Sequence, residues 1–223
     1  AASYAFAAVP ARLALERRNW EEAGSLRVRW PSTLDWDQYP HIVAITEFAR
    51  GLGSARSGQP DAAEAAARRL DELRDEAANL PDPYDWGIQA DIQALGVRAW
   101  AAFESGSASE GLAMMRRAHE LESPTQKNPV TPGEVLPAAE LLGDMLLEAE
   151  QYDEAIEAYE SSLARSPNRL NSLLGAGRAA ELSGDLAGAR AYYTRLLAGV
   201  IDAPAHDGVD HAQSFVDGSA GAR

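Results

Sequence analysis

The chain has 223 residues, no cysteine and a formal net charge of −14. That length supports one sizeable core or a row of small units sharing an elongated one, and the missing cysteine excludes a disulfide framework and a thiolate metal site. The acidic balance disfavours nucleic acid and anionic membranes, which both need basic patches, and no apolar run approaches the roughly 20 residues that span a bilayer.

Alanine is abundant while valine and isoleucine are sparse, which favours helices over strands. The opening AASYAFAAVPARLALERR has no initiator Met and no basic stretch leading into an apolar one. Ser3 to Arg17 reads as a working helix, so a piece of a longer protein is expected in preference to a chain trimmed of a secretory leader. In ARLALERRNWEEAGSL (11–26), Ala11 and Ala23 bracket a turn at Arg18-Asn19, and the helix after the turn is short. This predicts a first helical hairpin over 3–27.

A second hairpin is predicted over 41–78. In FARGLGSARSGQPDAAEAAARRLDEL (48–73), Gly51, Ala63 and Leu70 take packing positions around a turn at Gly58. Its Gly-rich GLGSARSG (51–58) superficially looks like a phosphate loop, yet it lacks the Gly-Lys-Ser/Thr ending and follows a helical pattern instead of a strand. Close helix packing is the better reading. A third hairpin is predicted over 88–122, with Gly106 at its turn and Ala99, Gly111, Met115 and Ala118 in the matching places. Breaker-rich segments at 27–40, 79–87 and 123–137 read as the connections between hairpins.

The last two hairpins, predicted over 136–167 and 169–200, are regular. Gly143, Ala155, Tyr159 and Leu163 are answered by Gly177, Ala189, Tyr193 and Leu197, each pair 34 residues apart. The glycines let neighbouring helices approach closely, and Tyr159 and Leu163 share a face one turn apart. Pro167 ends one unit and Asn168 is placed to cap the next. Turn positions 18, 58, 106, 150 and 184 are separated by 40, 48, 44 and 34 residues, so only the last interval has the period. The final 204–223 is poorly periodic and is expected to be an irregular or mobile tail, or else a poorly regular helix, beyond an array covering 1–203.

A 34-residue period with small-large residues at these positions resembles the tetratricopeptide repeat family, most closely over 136–200. The stretch KNPVTPGEVLPAAELLGDMLLE is also similar to part of larger bacterial tetratricopeptide proteins of unassigned activity, which implies further repeats ahead of Ala1. The resemblance implies an all-α, right-handed α-α superhelical solenoid of about five helical hairpins. It also implies a groove lined by the first helix of each hairpin, in which a peptide binds. Carried onto this sequence, the groove positions are Arg12, Glu16, Phe48, Leu52, Trp100, Phe103, Glu104, Glu140, Asp144, Glu148, Asn171, Leu174 and Arg178. Glu140, Asp144 and Glu148 recur every four residues and form one acidic line along a helix. Such a groove would favour a basic segment with an apolar anchor. A solvated helix face is the plainer account of the acidic line, and a core position is an equally good account of Trp100.

Residues able to carry catalysis are sparse. His41 follows Pro40 at a helix start, and no nucleophile–base constellation or zinc-protease spacing occurs. His206, Asp210 and His211 are weak candidates for a divalent metal, since their spacing matches no ligand motif. Trp30, Trp36 and Trp86 fall in or beside the connections and are expected mostly to anchor them. The function expected is a non-catalytic scaffold for a protein or peptide segment, with no cofactor. The alternatives are part of a larger enzyme or metal-binding protein, or a spacer or oligomerisation module.

Overall fold

The computed structural model describes residues 2–82, 84–126, 134–200 and 207–220, and every regular element among them is a helix. The chain divides into two compact units, Ala1–Ala138 and Ala139–Arg223. The first holds α1 (Ala2–Glu16), α2 (Trp20–Gly24), α3 (Pro40–Arg56), α4 (Pro60–Ala77), α5 (Trp86–Glu104) and α6 (Ala108–Glu122), with a 3-10 turn at Trp36–Gln38. Helix α3 packs on α1, α2, α4 and α5, and α5 packs in turn on α4 and α6. The second is built from α7 (Ala138–Glu148), α8 (Tyr152–Arg165), α9 (Leu170–Ser183), α10 (Leu186–Gly199) and α11 (Asp207–Ala220). There α9 packs on α8, α10 and α11.

Odd-numbered helices from α1 to α9 are each joined to the next by two or three residues, which makes every such pair an antiparallel hairpin. The turns share a backbone device. Arg18, Gly58, Gly106, Glu150 and Gly184 all have positive φ, between 54° and 89°. In the first four hairpins the next residue donates to a carbonyl five residues back: Asn19 to Ala14, Gln59 to Ser54, Ser107 to Ala102 and Gln151 to Leu146, each at 2.9 Å. This 6→1 bond satisfies a carbonyl that the helix end would otherwise leave open. The five turn positions read from the sequence are these five left-handed residues, two of them not glycine.

Caps complete the helix starts. Asn19, Asp85 and Asp185 each accept a backbone N–H three residues on, from Glu22, Ile88 and Gly188. Asn168 does not cap α9 as expected. It adopts φ 65°, and its Oδ1 accepts instead from Arg195 Nε on α10 at 3.1 Å, while Arg169 takes the N-cap place.

Of the two forms expected over 204–223, irregular tail or poorly regular helix, the described part takes the helical one, because 207–220 form α11. Val209, Ala212, Phe215 and Val216 recur at helical spacing and pack on a core that includes Tyr193 and Leu196 of α10. Tyr193 meets Phe215 edge-on at 5.2 Å between centroids, and Arg190 donates to the Val216 carbonyl. The Asp, Ser and Gly residues that disguise this stripe, such as Asp210, Ser214, Asp217 and Gly218, are exposed.

Candidate functional site

The second unit shows how the repeat positions work. Tyr159 of α8 is fully buried and lies between two glycines, Gly143 of α7 and Gly175 of α9. A Cβ at Gly143 would stand 2.7 Å from the Tyr159 ring, so the glycine makes room for an aromatic ring, where the sequence suggested backbones in close approach. Tyr193 of α10 fills the notch at Gly177 of α9 in the same way. The Tyr159 hydroxyl donates to Asp144 at 2.7 Å, and that of Tyr193 to Glu181 at 2.9 Å.

Two of the three acidic groove candidates on α7 are therefore not open to a visitor. Glu140 is 1% exposed and receives both Nε and Nη2 of Arg169 at 2.8 Å, together with the Ser172 hydroxyl. Such a bidentate pair is strong and directional, and its burial makes each partner dependent on the other. Asp144 is spent on Tyr159 and is 8% exposed. Asn171 is also buried, while Leu174 is half-buried. Glu148 and Arg178 are exposed, the latter paired with Glu181 at 3.1 Å. The regular spacing of the acidic line was legible, but Arg169, 29 residues beyond Glu140, was missed. Its place at the entrance of the following hairpin was the available signal.

In the first unit, Phe48, Leu52 and Trp100 are 0–2% exposed and belong to the core. They are corrected from groove to interior, because the helix face that carries them is turned toward other helices. Phe103 packs edge-on against Trp100 at 5.5 Å. Glu104 is spoken for by Arg56. That Arg56 guanidinium lies 4.0 Å over the Trp100 ring and 5.4 Å from that of Trp20, tying the tips of α2, α3 and α5 together. Arg12 is half-buried and donates to the main-chain carbonyl of Glu134 at 2.8 Å. Glu16, the remaining candidate, is half-buried on α1.

The histidines are placed as follows. His41 lies tilted against Trp86 at 4.6 Å between centroids, and Trp86 meets Tyr84 at 4.5 Å; burial lowers the His41 pKa against an opposing pull from Asp82. Trp36 and Trp86 are buried anchors, as expected, whereas Trp30 is 54% exposed under Arg27. His211 contacts Glu181 at 2.8 Å. Burial pushes the Glu181 carboxyl up, but hydrogen bonds from His211, Tyr193 and Arg178 outweigh that and hold it below its ordinary value. His206 lies outside the described residues, and Asp210 is exposed. Among the described residues no three His, Asp or Glu side chains come together to hold a metal, and no helix is long and apolar enough to cross a membrane.

The interlocked pattern in the second unit, a small residue on one helix filled by an aromatic from the next, coincides with a family match. The model of the tetratricopeptide repeat matches residues 140–204. This segment belongs to the tetratricopeptide repeat family. The matched repeats run from α7 to the end of α10 and include both tyrosine–glycine notches. No curated protein matches the chain.

Proposed function

We propose that the chain is a non-catalytic scaffold that binds a protein or peptide segment through its tetratricopeptide repeats. The observation that carries this reading is the family match over residues 140–204, since such repeats generally mediate protein–protein interaction. Within that segment the groove candidates left accessible are Glu148, Leu174 and Arg178. Leu174 offers an apolar anchor point, and Glu148 adds to the acidic balance of the chain, which suits a partner segment carrying Lys or Arg beside an apolar side chain. The acidic contribution is smaller than the sequence implied, because Glu140 and Asp144 already serve Arg169 and Tyr159.

The test is a photo-crosslinking amino acid placed at Leu174, with a second protein carrying it at the exposed Glu157 of α8. A partner retained by the wild type should crosslink at 174 and not at 157, and should be lost from a Leu174→Glu/Arg178→Glu variant. Undiminished retention by that double variant would end the reading.

A further inference from the structure

Helix α1 is apolar on two faces. Ala7, Ala8, Ala11, Ala14 and Leu15 are buried, on the side where α1 packs on α3. The opposite side carries Ala2, Phe6, Val9 and Leu13, and all four are exposed, Phe6 at 49%, Val9 at 63% and Leu13 at 45%. A helix that is apolar all round is normally covered all round. Two other outer helices of the same unit are ordinary by contrast. Helix α4 presents Asp61, Arg68, Glu72 and Asp75 to solvent, and α6 presents Glu110, Arg117 and Glu120. Of the six large apolar side chains left exposed among the described residues, three share this one stripe of α1.

The spacing of the stripe says what fits it. Ala2, Phe6, Val9 and Leu13 follow one another by four, three and four residues, the interval at which two helices share a seam. Pro10 and Arg12 border the stripe without entering it. Pro10 is half-buried, and Arg12 turns inward to donate to the Glu134 carbonyl at 2.8 Å. That carbonyl belongs to a buried segment which Glu122 of α6 also holds, its Oε2 accepting from the Ala138 N–H at 2.8 Å. The seam is thus uncharged as far as Leu13. Beyond it, Glu16 and Arg17 fall on opposite flanks, one acidic and one basic.

That pair selects a second copy as the occupant. When two α1 helices run parallel about a two-fold axis, the left flank of each faces the right flank of the other. Glu16 of each copy then stands across the seam from Arg17 of the other, and like charges do not meet. An antiparallel pair would set each charged end against the uncharged first turn of the other copy, with no such gain. The whole chain carries −14, yet Arg12 and Glu16 are the only charged side chains of α1, so two copies approach here without a run of carboxylates between them.

We propose that α1 is a homodimer seam, in which the stripe of Ala2, Phe6, Val9 and Leu13 packs in parallel on the same stripe of a second copy, closed at one end by reciprocal Glu16–Arg17 pairs. The seam lies in the first unit, on the side of α1 away from α3, and stands apart from the repeats that carry the proposed function. A single helix pair buries little area for a stable interface, so the dimer dissociates on dilution.

Sedimentation velocity of the full chain, over about a hundred-fold range of loading concentration, should show a monomer–dimer equilibrium. Phe6→Ser/Leu13→Ser should weaken it at least about ten-fold, the scale of losing two central apolar anchors. Leu182→Ser/Leu186→Ser, which removes the exposed leucines at the α9–α10 turn, should leave it unchanged. Arg17→Glu should weaken it about two- to five-fold, and adding Glu16→Arg should restore it. The chain has no cysteine, so Leu13→Cys supplies a single thiol. Oxidation should then link two copies, since parallel helices bring position 13 to its own equivalent. A concentration-independent monomer overturns the proposal and leaves the stripe to the helix of a different protein. Undiminished dimerisation of Phe6→Ser/Leu13→Ser, or equal weakening by the two serine pairs, overturns it as well. So do failed rescue by the charge swap, absence of the disulfide, or lost helical circular dichroism in Phe6→Ser/Leu13→Ser, which would make those side chains part of the fold. Partner crosslinking at Leu174 is expected to be indifferent to all of these changes, which keeps a failure here distinct from a failure of the repeat reading.

Discussion

The two units solve one packing problem in different ways. In the second, the gaps opened by glycine are filled by aromatic rings whose hydroxyls are themselves tied down, Tyr159 by Asp144 and Tyr193 by Glu181. In the first, the corresponding gaps meet smaller neighbours. Gly51 faces Val97 and Ala66, and Gly111 faces the Ala99 carbonyl and Phe103. Ion pairs differ too. The second unit buries Glu140 with Arg169, whereas the first spreads Arg98 of α5 over Glu64 and Asp71 of α4 in a more exposed fork. Repeat geometry thus depends less on how many helices pair than on whether a large rigid side chain locks each pair to the next. The family match is confined to the unit that has those locks.

The comparison can be broken most forcefully at the buried ion pair. Arg169→Met should destabilise the chain by about 3–5 kcal/mol in urea unfolding, because it strands the Glu140 carboxylate without its counterion. Arg98→Met, in the more exposed fork, should cost no more than about 1 kcal/mol. Similar losses from both would dissolve the contrast drawn between the units.

Glycine replacements sharpen it at the next level. Gly143→Ala or Gly177→Ala should cost about 1–3 kcal/mol, since a pinned tyrosine ring must move to admit the methyl group. Gly51→Ala should cost a comparable amount, because the two methyl groups of the buried, β-branched Val97 would stand under 3 Å from the added Cβ and cannot swing away. Thermal melts of the three variants side by side decide the matter.

Smaller gains are expected at the turns. Glu150→Gly and Arg18→Gly should each stabilise by about 1 kcal/mol, because both residues adopt left-handed backbone that disfavours a side chain. Smallest is the effect of Glu47 on α3. Burial raises its carboxyl pKa against the pull of Arg50, Arg69 and Arg29. Its stabilising contribution is therefore complete below the ordinary value of 4.5 and declines as pH rises through the folded-state value. Glu47→Gln should accordingly melt higher than wild type at pH 7, and the gap should close below about pH 4.5.

Much of this architecture could be read from residue order. The turns were legible because a left-handed residue, a helix end and a polar N-cap are local features with local signals. The tyrosine–glycine notches were legible because a fixed period exposes them, although the ring that fills each notch was not. The burial of Glu140 was hidden, since a carboxylate on a regular polar line looks solvated until its partner from another helix is found. Phe48, Leu52 and Trp100 were misplaced because one helix face is read as a groove only if nothing packs on it. Helix α11 was legible only as one of two alternatives because Asp, Gly and Ser residues dilute the stripe of Val209, Ala212, Phe215 and Val216.

The tie between Arg12 and Glu134 has a further consequence for how the first unit comes apart. A row of stacked helices ordinarily frays from its ends, the outermost element opening at little cost while the middle stays intact. With the leading helix buckled to a segment beside the final one, that cheap exit is closed, and α1 opens only when the buckle does. Amide protons on α1 should then exchange together with those of Val135, Leu136 and Ala138, at one shared rate, as a clasped bracelet releases both ends at once.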